Sequence, residues 1–575
     1  MRAARWLPIL HWLPGYDRQM AQGDLLASVI VALLLLPQGI AYALLAGLPA
    51  EAGLYAGILP LVIYALLGSS MTQSVGPMAV TSAMTFAALS PLAASGSAEW
   101  INHAILLTLL TGAWLWLLAA ARLDQLLRLV SAPVLQGFAD GVALLIVLGQ
   151  LSPLLGIAFK GDTLQQLLPG LLQGLGHLDM LLAGFGVAGL VLLALAAQPF
   201  ARLLQRAGLP PARAQLAGRI TPLLVLLLAT AVLAAHPVDG IRLLGLLPAG
   251  LPALQLPALP AQPEKIILVL LWPALGIALA GYLQSISVAR QMAARQGRQI
   301  NSRQELLALG SCNLGAALCG GMPVSGGFSR TAVNAAAGAR TPLAGLFTAG
   351  WLLLILLFLT PALATLPLAW LAATIILAAS RLMAPGYLLR LLRAGRAGWH
   401  EALPYLATLV AVLFSGAVSG ILTGVVLSLL LVLQRASRPH IAILGRVPGS
   451  EHFRNIERFT VETWPELLII RIDESLFFAN IEAVLLGIEN ALRAKPQAQH
   501  LLLSLAAVNH IDLSAADELL RWHGDLARRG ITLSIAELKG PVRGELAGHG
   551  WLAALAGQDY LSAHEAVNRL QGNGA

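Results

Sequence analysis

The stretch GGMPVSGGFSRTAVN, residues 320–334, gathers the residue types that bind anions: Arg330 flanked by Ser329 and Thr331, with Ser325 and four glycines before them. A guanidinium offers a fixed fork of N–H donors, and hydroxyls add single donors. Glycine lets a backbone N–H approach a ligand closely. Yet the stretch lies between two apolar runs, LLALGSCNLGAALC and LAGLFTAGWLLLILLFL. A charge at membrane depth is costly and marks a polar, partly hydrated cavity. A counterpart, SSMTQSVGPMAVTSAM, occupies residues 69–84. Each stretch follows two apolar spans of its own half of the chain. An inverted repeat would bring both to the midplane as an extended segment followed by a short helix, with the helix N-termini facing each other. Their free N–H groups and dipoles would then converge on one anion. The competing reading is a tight helix contact kinked by Gly and Pro, with Arg330 snorkelling or paired to an acid.

The elements that position these residues are membrane spans. The 575 residues are 57% hydrophobic and 11% charged, with mean hydropathy +0.76, too little polar surface to coat a soluble globule. At about 1.5 Å per residue and about 30 Å of hydrocarbon, roughly fourteen spans fit between residues 24 and 434, several short or broken. Residues 1–23 read as an amphipathic cytoplasmic lead-in without a signal-peptide cleavage site. Arginine clusters (Arg122/Arg128, Arg202/Arg206/Arg213/Arg219, Arg290/Arg295/Arg298/Arg303, Arg381/Arg390/Arg393/Arg396 and Arg435/Arg438) follow even-numbered spans. By the positive-inside rule this predicts a multi-pass protein of the cell (inner) membrane with both termini cytoplasmic. The net charge of +8 reports that topology and gives no argument for nucleic acid.

From residue 435 to 575 the composition turns soluble. LLIIRI, HLLLSLAAV and ITLSIAEL read as strands alternating with the helices IEAVLLGIENALRA and SAADELLRWHGDLARRG, an α/β sheet with right-handed crossovers. Cys312 and Cys319 sit in apolar helical sequence and read as packing residues. No metal-ligand cluster, P-loop or nucleophile constellation is present, so neither an enzyme nor a bound metal or cofactor is expected.

Together, LLPQGIAYALLAGLPAEAGLYAGILPLVIYALLGSS, SVGPMAVTSAM and NSRQELLALGSCNLGAALCGGMPVSGGFSRTAVNAAAGARTPLAG closely resemble the SulP anion transporters (solute carrier family 26). The tail segments LIIRIDESLFFANIEAV and VNHIDLSAADEL resemble their STAS domain. The resemblance implies a seven-plus-seven inverted repeat over residues 24–434, divided into core and gate, with a cytoplasmic STAS domain. It also implies a homodimer with STAS contacts that moves sulfate, bicarbonate, chloride or dicarboxylates. Carried over by position, Gln38 and Tyr42 match first-span substrate contacts, Ala79 and Val80 the third-span half-helix, and Ser329 and Arg330 the tenth-span contacts. On its own chemistry Gln38 is an amide that needs partners, and a helix-to-helix hydrogen bond would serve it equally.

Two positions depart from the family. Gln284 stands on the eighth span where many members carry a glutamate associated with proton coupling; its amide does not titrate, but it can donate to an anion. Asp140, about 18 Å into a span starting near residue 128, is then the strong intramembrane candidate for coupling, with a structural partnership as the alternative. In the tail, Leu513 follows Asp512 where phosphorylation-controlled STAS domains carry a hydroxyl, and Ser514 reads as a helix N-cap. Sulfate is the favoured anion, ahead of bicarbonate and C4-dicarboxylates. A channel-like anion protein is an alternative; a nucleobase permease fits less well, because its site would need acids toward ring N–H groups.

Overall fold

Two strands of two residues each sit among the helices of the apolar region, and they decide its architecture. Val75–Gly76 (β1) pairs antiparallel with Ser325–Gly326 (β2), Val75 opposite Gly326 and Gly76 opposite Ser325. Each strand follows two apolar stretches of its half and leads into a short helix, and their antiparallel sense is what an inverted repeat requires. The structure is a computed structural model that describes residues 7–248, 250–251, 262–547, 550–555 and 557–571. The first six residues of the expected lead-in lie outside them, as do the side chains of Arg128, Arg219 and Arg396.

The first half runs α1 (Arg18–Leu45), α2 (Leu59–Leu67), β1, α3 (Ala79–Leu89), α4 (Ala98–Ala120), α5 (Ala132–Leu155), α6 (Met180–Ala196) and α7 (Pro211–Ala235). The second runs α8 (Pro263–Arg295), α9 (Ser302–Leu318), β2, α10 (Phe328–Ala336), α11 (Leu343–Phe358), α12 (Leu368–Ser380), α13 (Tyr387–Arg393) and α14 (Gly395–Ala436). α14 is broken at Gly416, whose φ of 84° no β-carbon-bearing residue adopts readily, so it makes two consecutive spans. Among the described residues, eight helices are long and apolar enough to cross a bilayer; α3, α11 and α12 are shorter.

Packing sorts the helices into two groups. α4 and α9 pack together, α2 and α11 join them, and α1, α3, α8 and α10 complete the first group around β1 and β2. The second group holds α5, α6, α7 and α12, with α14 against α5 through Gly137, Gly141 and Gly424. Glycine is needed at Gly137 because a β-carbon there would lie 2.3 Å from the Tyr405 carbonyl. The first group holds both polar legs; the second does not.

Residues 429–575 form a separate compact unit. Its sheet has the order β4-β3-β5-β6-β7-β8: β3 (Ile441–Arg446), β4 (Phe453–Asn455), β5 (Leu467–Ile472), β6 (His500–Ser504), β7 (Thr532–Ala536) and β8 (Asp559–Tyr560). β5 through β8 are parallel, joined by crossovers that include α15 (Ile481–Ala494) and α16 (Leu513–Arg528); β3 is antiparallel to both its neighbours. Ile470, Leu503 and Ile535 are fully buried along the central strands. The N-cap of α16 is Asp512 and not Ser514, because the Asp512 carboxylate accepts from Ala515 N at 2.8 Å.

Candidate functional site

The site is built where β1 crosses β2. The second leg is held before the crossing by Asn313 of α9, which donates to the Val324 carbonyl and accepts from its N–H, both at 3.0 Å. Ser325 Oγ donates to the Gly281 carbonyl of α8 at 2.5 Å. Past the crossing, Ser74 N donates to Thr331 Oγ1 at 3.1 Å, and Asn334 Nδ2 donates to the Thr72 carbonyl at 2.9 Å. Thus α10 is tied to the first leg by two of its own side chains.

Both half-helices begin uncapped. Met78 precedes α3 and Gly327 precedes α10, each extended, and neither supplies a side-chain hydrogen bond to the first turn. Their leading N–H groups and positive dipole ends are therefore available to a ligand. Arg330, 3% exposed, lies in the first turn of α10 and donates from Nη1 to the Pro77 carbonyl at 2.7 Å, just ahead of α3. Its Nε and Nη2 are buried and make no hydrogen bond with any described residue. A β-carbon on Gly327 would lie 3.0 Å from Nη2, and one on Gly76 would lie 3.4 Å away. The two glycines give the guanidinium its room.

The expected site residues fall into three sets. Ala79 and Val80 open α3, and Ser329 and Arg330 open α10, so the crossing brings these four together. Tyr42 is buried on α1 within electrostatic range of Arg330, and Gln38, half-buried, is one helical turn before it. Gln284 lies on α8, which packs on α3, α10 and β2; its Oε1 is buried without a hydrogen bond among the described residues. Ser329 is exposed, whereas Thr331 is fully buried with its oxygen engaged by Ser74, so Thr331 ties the two legs instead of opening toward a ligand.

Asp140 stands apart, in the second helix group. Its Oδ1 accepts from Gln136 Nε2 at 2.8 Å and from Ala384 N at 2.9 Å, and its Oδ2 accepts from Tyr405 Oη at 2.7 Å. Its helix starts at Ala132, so Asp140 is only about 12 Å along it, near the end that meets the loop after α12. The expected depth of about 18 Å assumed a start four residues earlier.

Nor is Asp140 alone. Glu305 of α9 is fully buried and accepts from Tyr64 Oη at 2.9 Å and from Ser69 N and Oγ at 2.8 and 2.7 Å. Asp24 of α1 is also fully buried, accepting from Arg340 N at 2.6 Å and Thr341 N at 3.0 Å. Gln73, whose Nε2 donates to Ser285 Oγ of α8, fastens the first leg beneath the crossing. The signal for Gln73 was present as an amide inside SSMTQSVG; Glu305 was masked by the charged run before it.

Residues 21–399 match the sulfate permease family, and residues 458–554 match the STAS domain. A probable sulfate transporter of Mycobacterium tuberculosis is 34% identical over 565 residues, 98% of this chain and 97% of that protein. The chloroplastic sulfate transporter 4.1 of Arabidopsis thaliana is 30% identical, covering 99% of this chain and 83% of its own. The structure of murine solute carrier 26 family member A9 in the inward-facing state superposes with a TM-score of 0.86 at 22% identity, over 99% of this chain and 95% of that one. The transmembrane domain of a cyanobacterial bicarbonate transporter, BicA, gives 0.58 at 24% identity over 72% of this chain and 98% of its own.

Proposed function

The chain belongs to the sulfate permease family, and from that premise we propose that it carries sulfate across the cell membrane by alternating access, with the β1–β2 crossing as its binding site. It is a multi-pass membrane protein of a family of anion transporters. The observation that carries the sulfate reading is the Arg330 guanidinium, buried between two uncapped half-helices with Nε and Nη2 unpaired. A buried cation without a countercharge is unstable, and an oxyanion at the two N-termini supplies that charge. The guanidinium turns Nε and Nη2 to the anion, and the N–H groups at Ala79, Val80 and Ser329, the Ser329 hydroxyl and the Gln38 amide make the other contacts. Gln284 turns its amide to present N–H to the anion, and Tyr42 closes the apolar side.

Movement of the first helix group against the second carries the site between the two sides of the membrane, with α5, α6, α7, α12 and α14 as the gate. Both termini and the STAS domain lie in the cytoplasm, and the protein assembles as a homodimer to which the STAS domains contribute. Without a carboxylate at Gln284, transport runs as anion exchange or with a proton carried elsewhere.

Uptake of radiolabelled sulfate into proteoliposomes tests the reading, with bicarbonate and C4-dicarboxylates as competitors and a preloaded anion inside. Saturable uptake stimulated by internal sulfate supports it. Conductance without counter-substrate indicates a channel, and preferential competition by bicarbonate moves the assignment to that anion.

A further inference from the structure

The loop after α12 and the short helix α13 shape an open surface pocket of about 360 Å³, lined among others by Gly386, Tyr387, Leu389, Arg390 and Arg393. Arg390 and Arg393 are exposed and form no ion pair or hydrogen bond among the described residues, so both charges are free for a ligand. Arg390 is held in place by stacking: its guanidinium carbon lies 5.3 Å from the centre of the Tyr387 ring. The carboxylates in electrostatic range of Tyr387 are Glu401 and Asp140; the latter is spent on Gln136, Ala384 and Tyr405.

Location narrows the ligand. The cavity lies between the end of the apolar helix α12 at Ser380 and the start of α14 at Gly395, where a bilayer presents its headgroups. Leu389, which lines the cavity, is 51% exposed, and Trp399 and Leu403 in the first turns of α14 are 60% and 62% exposed, apolar surface that the bilayer would cover. A free phosphate has no use for that surface, whereas a lipid fills both parts.

We propose that this cavity binds the phosphate of an anionic phospholipid and thereby ties the packing of α5 to the charge of the membrane. The connection runs through the floor of the cavity. Ala384 N donates to Asp140 of α5, Gln136 Nε2 donates to the Leu382 carbonyl at 3.2 Å, and the Tyr387 ring stacks 5.5 Å from Tyr405, whose hydroxyl donates to the same carboxylate. A headgroup drawn against Arg390 and Arg393 loads that loop and, through it, the helix.

The test uses the full-length protein purified into nanodiscs, with phosphatidylglycerol and phosphatidylcholine as the probes and native mass spectrometry as the readout. Two arginines at an anionic surface correspond to roughly a thirtyfold preference for phosphatidylglycerol. The wild type is expected to show it, and R390A/R393A to lose most of it. R390K/R393K, which keeps charge but not the fork, should retain an intermediate share. Equal retention of the two lipids by the wild type, or an unchanged preference in the alanine variant, overturns the proposal. So does inorganic phosphate that protects the wild type from thermal unfolding as well as phosphatidylglycerol does, since the site would then belong to the free ion.

Discussion

Arg330 and Glu305 are both buried in the apolar half of the chain, and both sit beside one of the two polar legs, yet their surroundings follow opposite plans. Glu305 receives Tyr64 Oη, Ser69 N and Ser69 Oγ, so its charge is answered by the protein itself. Among the described residues Arg330 keeps one bond, to the Pro77 carbonyl, and leaves Nε and Nη2 unanswered. A charge fully answered within the fold holds elements together; one left short in a desolvated setting is poised for a mobile partner. Asp140 belongs with Glu305 in this respect, for all three of its partners come from the gate helices and their loop.

Breaking the holding charge is expected to have the largest effect. Glu305→Ala strands three donors, at about 1–3 kcal/mol each, so thermal unfolding in detergent should shift strongly downward while sulfate affinity of the folded fraction stays put. A stable variant that no longer binds sulfate would place Glu305 with Arg330 instead. Next comes Arg330→Ala, which should weaken sulfate binding by on the order of 1.5–3 kcal/mol per charged hydrogen bond, roughly 10- to 150-fold in Kd. Arg330→Lys should fall between, and calorimetry that finds wild-type affinity in the alanine variant would remove Arg330 from the site. Gly327→Ala sets a β-carbon 3.0 Å from Nη2, displacing the guanidinium by a few tenths of an ångström. Its cost to sulfate binding should be about 1 kcal/mol, measured the same way, with no change in unfolding temperature.

Smaller effects sharpen the contrast. Asp140→Asn keeps a hydrogen-bonding oxygen and is expected to lower uptake modestly while preserving the shape of its profile from about pH 5 to 8. A flattened profile would return the coupling role to Asp140. In the tail, burial alone would raise the Glu489 carboxyl, but hydrogen bonds from Arg529 and Trp522, with the Arg529 and Arg493 charges, outweigh it and hold it below its ordinary 4.5. A depressed carboxyl stabilises the fold above its ordinary value, and that contribution is lost as pH falls through the folded value. Urea unfolding of a fragment spanning residues 439–575 should therefore weaken slightly below about pH 4.5, and Glu489→Gln should blunt that loss; an identical acid response in the variant would assign it to other carboxylates.

Much of this was legible because it follows from periodicity and punctuation. Apolar runs of span length announced the helices, and glycine and proline beside Arg330 and beside Val75 announced the two interruptions. Their chemistry pointed to an anion before any contact was visible. Glu305 and Asp24 were not legible in this way. Both stand near the start of a span beside other charged residues, where a carboxylate reads as a solvated flank, and only the fold reveals that Ser69 or Arg340 closes over them. The edge strands β4 and β8 escaped for a different reason: FRN and DY are too short to show the apolar alternation by which a strand declares itself.

The pairing of Val75 with Gly326 also bears on how the protein is made. Its two residues are 251 positions apart, so a ribosome releases the first polar leg long before it releases the second. Until then the leg preceding α3 has no partner strand, and α3, at 11 residues, is only about 16 Å long, too short to cross a bilayer unaided. The nascent first half must therefore wait at the insertion machinery, or sit shallow in the membrane, until the second half arrives to draw it in. Substitutions at Gly76 or Gly326 should accordingly appear first as failures of biogenesis, caught by the quality-control proteases before any defect in transport is seen.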